Sequence, residues 1–196
     1  MINWKGTTPF ENYATYRELP STSKIIKIPE KSFQKSILFA IPFFIACFAA
    51  LYLKEYFSGQ FPFEKQYGWI GLLLGLLLIP VHELLHTAVY PSQAEKFIGI
   101  DTKNFMAYAY CNAPLKKNRF IFMSLLPMVL GIIPFIMFCL LPISCKTIAA
   151  ILWPCALIGL VSPCPDYLNV YYVLKQAPKD AYIQDAEDGM YWFYIP

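Results

Sequence analysis

The sequence predicts an all-α polytopic membrane protein with about four transmembrane helices and a short cytoplasmic β-hairpin between helices 2 and 3. Three observations carry that prediction: an apolar, charge-poor composition, four apolar runs of bilayer-crossing length, and a one-sided distribution of Lys and Arg. Apolar residues make up 57% of the 196 and charged residues 15%, which is the composition of a membrane protein rather than of an ordinary globular domain. Sixteen prolines and 17% aromatics suit helices that are kinked and anchored at the interfaces. The net charge is only +3. There is no dense basic stripe interleaved with aromatics, so no nucleic-acid partner is expected.

The first run, 36–53, reads SILFAIPFFIACFAALYL, and the second, 69–90, reads WIGLLLGLLLIPVHELLHTAVY. The third, 120–141, reads FIFMSLLPMVLGIIPFIMFCLL, and the fourth, 147–174, reads TIAAILWPCALIGLVSPCPDYLNVYYVL. A helix crosses the hydrocarbon core with about 20 residues; the first run is the shortest. Pro163 and Pro165 interrupt the fourth, so it is expected in two pieces. Gly71 and Gly75 form a G-x-x-x-G spacing that favours close helix packing. Pro80 is expected to kink the second helix. The residues before the first run are polar, so no secretory signal peptide is expected.

Residues before 36, the 91–119 loop and the tail together carry 13 of the 16 Lys and Arg. Lys54, Lys65 and Lys146 fall on the other side. This bias assigns both termini and the loop to the cytoplasm. Within the loop, 97–100 and 105–110 are rich in Phe, Ile and Tyr and flank the polar DTKN, which predicts the hairpin. Its edge could receive an extended peptide. SKIIKI at 23–28 reads as a further short strand. The tail KDAYIQDAEDGMYWFYIP is acidic and then aromatic, as expected of a segment touching the interface. The six cysteines form no C-x-x-C pair and read as small apolar side chains.

The second run contains the chemistry. His82 and His86 are the only histidines and lie four apart, so a helix puts both imidazoles on one face, able to hold one metal ion. Glu83 is turned about 100° away and can reach a metal-bound water instead of the metal. Two such ligands and a general base form the zinc-metalloprotease arrangement, in which zinc lowers the pKa of its water towards about 7. A metal-free hydrogen-bond cluster between helices is the bland alternative. Charged groups in a membrane helix are costly and are expected to have partners.

A third ligand must come from elsewhere. The third-histidine position of longer zincin motifs is Ser92, and Val89 replaces their glycine. A carboxylate or a cysteine must serve. Glu95 and Asp101 lie in the loop, whereas Asp166 is the only acidic residue of the fourth run. His82 lies about 12 Å from the inner end of its helix at 1.5 Å per residue, and Asp166 falls in the inner half of the fourth run. The two therefore share a depth. Asp166 also suits the role of a cap on the helix restarting after Pro165. Asn112 and Asn169 are candidate donors to a substrate carbonyl or oxyanion.

HELLH on a membrane helix, with a distant Asp in a Pro-interrupted later helix, resembles the site-2 protease class of intramembrane metalloproteases. The segments HELLHTAVY and SPCPDYLNVYYVLK most resemble a family of small bacterial membrane proteins termed putative zincin peptidases, over roughly residues 60–175. The resemblance implies His82, His86 and Asp166 as Zn2+ ligands and Glu83 as catalytic base. The sequence departs from the site-2 pattern at Ser162, where an asparagine is usual, and at Tyr167, where a glycine follows the aspartate.

The expected organisation is a cytoplasmic segment 1–35, a four-helix membrane metallopeptidase-like domain 36–174 and a cytoplasmic tail 175–196. The expected function is a membrane-embedded zinc metallopeptidase cutting a peptide bond near the cytoplasmic face, in a bacterial cytoplasmic membrane. Its partners would be the lipid bilayer and a peptide or membrane-protein substrate. The alternatives are a non-catalytic membrane protein with a structural or metal-binding cluster, and a metal-dependent hydrolase of another substrate. Substrate identity and oligomeric state leave no mark in the sequence.

Overall fold

Side chains that are apolar on every turn leave no face for water, and an α-helix satisfies the backbone of such a segment internally. The computed structural model describes residues 2–7, 18–28, 32–102, 106–186 and 189–195 and is mostly helical. Among the described residues, four segments, Gln34–Ser58, Lys65–Val89, Lys117–Leu140 and Lys146–Gln176, are long and apolar enough to cross a membrane. In chain order the elements are β1 (Ile2–Trp4), β2 (Lys24–Ile26), α1 (Ser32–Ser58), α2 (Gly68–Val89), β3 (Lys96–Asp101), β4 (Met106–Cys111) and β5 (Leu115–Lys116). They continue with α3 (Lys117–Leu125), α4 (Val129–Leu140), α5 (Lys146–Val161), α6 (Cys164–Gln176), β6 (Tyr182–Ala186) and β7 (Gly189–Phe193).

Proline accompanies two of the helix breaks. The fourth apolar run divides into α5 and α6 at Ser162 and Pro163, because Pro cannot donate to the preceding turn. A single tight turn at Leu126–Met128, containing Pro127, separates α3 from α4. Pro42, Pro80, Pro134 and Pro154 lie inside α1, α2, α4 and α5 without ending them.

The chain divides into two compact units. The first comprises Phe33–Val81 and Pro127–Pro165 and is helical. Its helices approach through glycine. A Cβ on Gly71 would strike the Ile151 carbonyl, and one on Gly131 would strike the Gly159 and Leu160 backbone. The Cys155 thiol donates to the Gly71 carbonyl at 3.1 Å, and the Trp153 indole N–H donates to the Cys47 carbonyl at 3.0 Å. Small residues thus let main chains meet where polar atoms can pair. Large apolar side chains such as Leu38, Ile45, Leu77 and Leu140 point outward.

The second unit comprises Met1–Ser32, His82–Leu126 and Asp166–Pro196 and contains two sheets. One has the order β1-β3-β4, with β1 parallel and β4 antiparallel to β3. The pairing of β3 with β4 runs from Lys96 opposite Cys111 to Asp101 opposite Met106; Phe105, the expected start of the second run, lies outside the described residues. The other sheet has the order β2-β7-β6-β5 and is antiparallel. Residues Tyr182–Ala186 and Gly189–Phe193 of the acidic-aromatic tail are therefore paired strands. Ile183, Met190 and Phe193 are buried, and Ile183 and Met190 join Ile26, Leu115, Phe120, Met123 and Val173 in one core. Within 23–28, residues 24–26 form β2. The Lys27 N–H donates to the Gln176 side chain at 2.9 Å, and the Gln176 amide returns a bond to the Lys27 carbonyl at 3.1 Å.

Basic side chains finish the helices. Lys96 Nζ donates to the Thr87 carbonyl at 3.0 Å and Arg119 Nε to the Val89 carbonyl at 2.7 Å, both at the C-terminus of α2. The buried Lys117 donates to the Ala177 carbonyl after α6. Lys54 reaches the carbonyls of Phe138, Cys139 and Leu141 at 2.8, 3.2 and 2.6 Å. Each places a cation where unsatisfied carbonyls and the negative helix end coincide. Lys54→Met leaves the last turn of α4 uncapped and should cost about 1–2 kcal/mol after allowing for partial exposure. Thermal unfolding in detergent should show it as a midpoint lowered by roughly 2–8 °C.

Candidate metal centre

α2 ends where its two histidines begin to matter. His82 and His86 occupy its last two turns and are buried, 8% and 6% exposed. Their Nε2 atoms lie 3.0 Å apart. Asp166 arrives from a distant point in the chain, in the first turn of α6. Its Oδ2 lies 3.2 Å from His82 Nε2 and 3.6 Å from His86 Nε2. One atom from each residue thus converges on a common point, as a metal site requires. Being inside the first turn instead of before it, Asp166 sends its carboxylate to the imidazoles.

The separations fit zinc. Ligands about 2.05 Å from a tetrahedral ion stand about 3.3 Å from one another, and the three observed edges bracket that value. The donor chemistry fits as well. His86 Nδ1 lies 3.0 Å from the Met123 carbonyl, which has no proton to give, so Nδ1–H donates. Nε2 is left with its lone pair facing the cluster. Three electron-rich atoms facing one another in a buried place suit a cation.

Glu83 is also buried, 8% exposed. Its Oε1 lies 4.0 Å from His82 Nε2, beside the convergence point and outside the ligand set. Its carboxylate faces the main-chain N–H of Ala109. Glu95 is exposed on the loop, and Asp101 is buried in β3; neither joins the His82, His86 and Asp166 group.

The groups that hold these side chains leave no mark in the sequence. The Met123 carbonyl and the Ala109 amide are main-chain groups with no side-chain signature. Tyr90 is different, because its spacing in the chain, four residues after His86, was visible. Its ring is buried and its hydroxyl donates to the Ala109 carbonyl at 3.2 Å. Tyr90 and Met123 also line a small pocket together with Cys111, Gln184 and Asp185. Burial pushes the Asp185 carboxyl up to about 6, because a half-buried carboxylate loses hydration. None of the six cysteines is disulfide-bonded.

Residues 75–182 match a family described as "Putative zincin peptidase". No curated protein and no solved structure matches the chain.

Purified protein should hold about one zinc per chain. Asp166→Ala should weaken zinc affinity by about 100-fold or more, measured by competition with a chelating dye, while Glu95→Ala should leave it unchanged. Full affinity in Asp166→Ala would remove Asp166 from the ligand set.

Proposed function

The chain belongs to the putative zincin peptidase family, and on that footing we propose that it is a membrane-embedded zinc peptidase cutting a peptide bond near the cytoplasmic membrane face. The observation that carries this reading is the convergence of His82, His86 and Asp166 with Glu83 buried beside them. A bound Zn2+ supplies Lewis-acid activation of water at that point.

The chain's own residues do the rest. Glu83 takes a proton from the attacking water and passes it to the leaving nitrogen as the carbon–nitrogen bond breaks. Its place outside the ligand set leaves its carboxylate clear of the metal, with the Ala109 N–H orienting it. Met123 fixes the His86 tautomer and ring plane through the Nδ1 bond. Lys96 and Arg119 hold the carbonyls that end α2, so the helix carrying three of the four residues is kept from fraying.

The outward apolar side chains of the long helices support a lipid surrounding. The clustering of 13 of 16 basic residues in the N-terminal segment, the 91–119 loop and the tail supports a cytoplasmic position for both termini.

Glu83→Gln should retain zinc and abolish cleavage, with a loss of about 100-fold or more. Quantitative membrane proteomics of cells carrying wild type or Glu83→Gln should then reveal polypeptides that persist in the variant alone. Identical proteomes, with zinc retained in both, would favour a structural metal site. A topology reporter fused after Pro196 should read cytoplasmic and one inserted at Gly59 external; the reverse reading would move the site to the other face.

A further inference from the structure

A peptidase of this kind needs, besides metal and base, a neutral donor for the oxygen that gains charge as water adds to the carbonyl. The cluster itself offers acceptors: two imidazole nitrogens turned inward and the carboxylates of Glu83 and Asp166. Asn112 and Asn169, the donors suggested by sequence, make no hydrogen bond to these four among the described residues. Tyr90 follows directly on the last residue of α2, seven residues after Glu83.

The strand ladder shows what Tyr90 is bonded to. Ile98 lies opposite Ala109, and its carbonyl is turned to the Lys5 N–H of the other neighbour at 2.9 Å. In an antiparallel ladder, the N–H and C=O of one residue point to the same side. The backbone groups of Ala109 therefore point away from β3, to the outer edge of the sheet. There the N–H faces the Glu83 carboxylate, and the C=O accepts the Tyr90 hydroxyl. A peptide carbonyl already sits beside the base, held by Tyr90.

We propose that Tyr90 is a catalytic residue: its hydroxyl leaves the Ala109 carbonyl for the carbonyl oxygen of the bond being cleaved and stabilises the charge that develops there. The inference rests on the peptidase reading and names a residue that reading does not use. Tyr90 donates a hydrogen bond and transfers no proton, so it ends the cycle as it began. Water supplies the oxygen that bonds to carbon, and Glu83 carries the proton to nitrogen. Burial first, and then the charges of Asp185, Cys111, Glu83 and Asp166, hold the Tyr90 phenol well above its usual pKa, so it stays a donor. A donor of this kind strengthens as the oxygen becomes an anion, which is the differential binding that lowers a barrier.

The test compares zinc-loaded, full-length wild type, Tyr90→Phe and Glu83→Gln in detergent. Casein is the substrate. N-phosphoryl-leucinamide, whose tetrahedral oxyanion resembles the adduct, and acetohydroxamate, a planar zinc chelator, are the inhibitors. Tyr90→Phe should lower kcat about 100-fold with KM changed less than about twofold, and zinc content should stay constant. Inhibition by the phosphoryl compound should weaken about 10-fold or more while inhibition by acetohydroxamate does not change. A packing role alone would lower the thermal midpoint and leave that inhibitor contrast unmoved. If wild type cleaves casein and Tyr90→Phe matches it in kcat and phosphoryl affinity, the Tyr90 assignment is overturned while the peptidase reading stands. If zinc-loaded wild type neither cleaves casein beyond Glu83→Gln nor binds the phosphoryl compound, the peptidase reading fails and the assignment falls with it.

Discussion

Two imidazole nitrogens 3.0 Å apart, with a carboxylate oxygen within 3.6 Å of both, form the constraint on which the rest of this protein turns. Acceptor atoms this close are held together away from water only by a cation or a proton between them, and the spacing suits a cation. The neighbouring elements make sense as devices that hold the three atoms to a common point. α2 supplies the four-residue spacing that overlays His82 and His86. The break at Ser162 and Pro163 ends α5 and lets α6 start with Asp166 in its first turn. The Met123 carbonyl turns the His86 ring.

The same logic explains why basic residues collect at helix ends. Lys96 and Arg119 bond the carbonyls that finish α2, Lys117 the one beyond α6, and Lys54 those that finish α4. These side chains satisfy acceptors that an apolar surrounding would leave unpaired. In the sequence the same lysines and arginines read as a topological signal.

β4 brings the sheet to the chemistry. Its outer edge presents the backbone groups of one residue, Ala109, to Glu83 and Tyr90. Those groups point outward because Ile98, opposite, is committed to β1. The parallel pairing of residues 2–4 with 96–98 thus reaches Glu83 and Tyr90 through a chain of main-chain hydrogen bonds.

The sequence by itself determined the helices and the reactive residue types. Runs of apolar residues about 20 long have one stable backbone solution in hydrocarbon, and a His-x-x-x-His spacing puts both rings on one helix face. Asp166 was legible because it is the one acidic residue of its run and follows a proline break. The tertiary structure alone decided the tautomer of His86 and the neighbourhood of Glu83 and Tyr90. It also decided that the acidic-aromatic tail pairs as β6 and β7. Those outcomes rest on main-chain groups of Met123 and Ala109 and on strands of two to six residues. A carbonyl is the same in every residue, and pairing between distant short strands leaves no period in the chain. Only the assembled fold gives them partners.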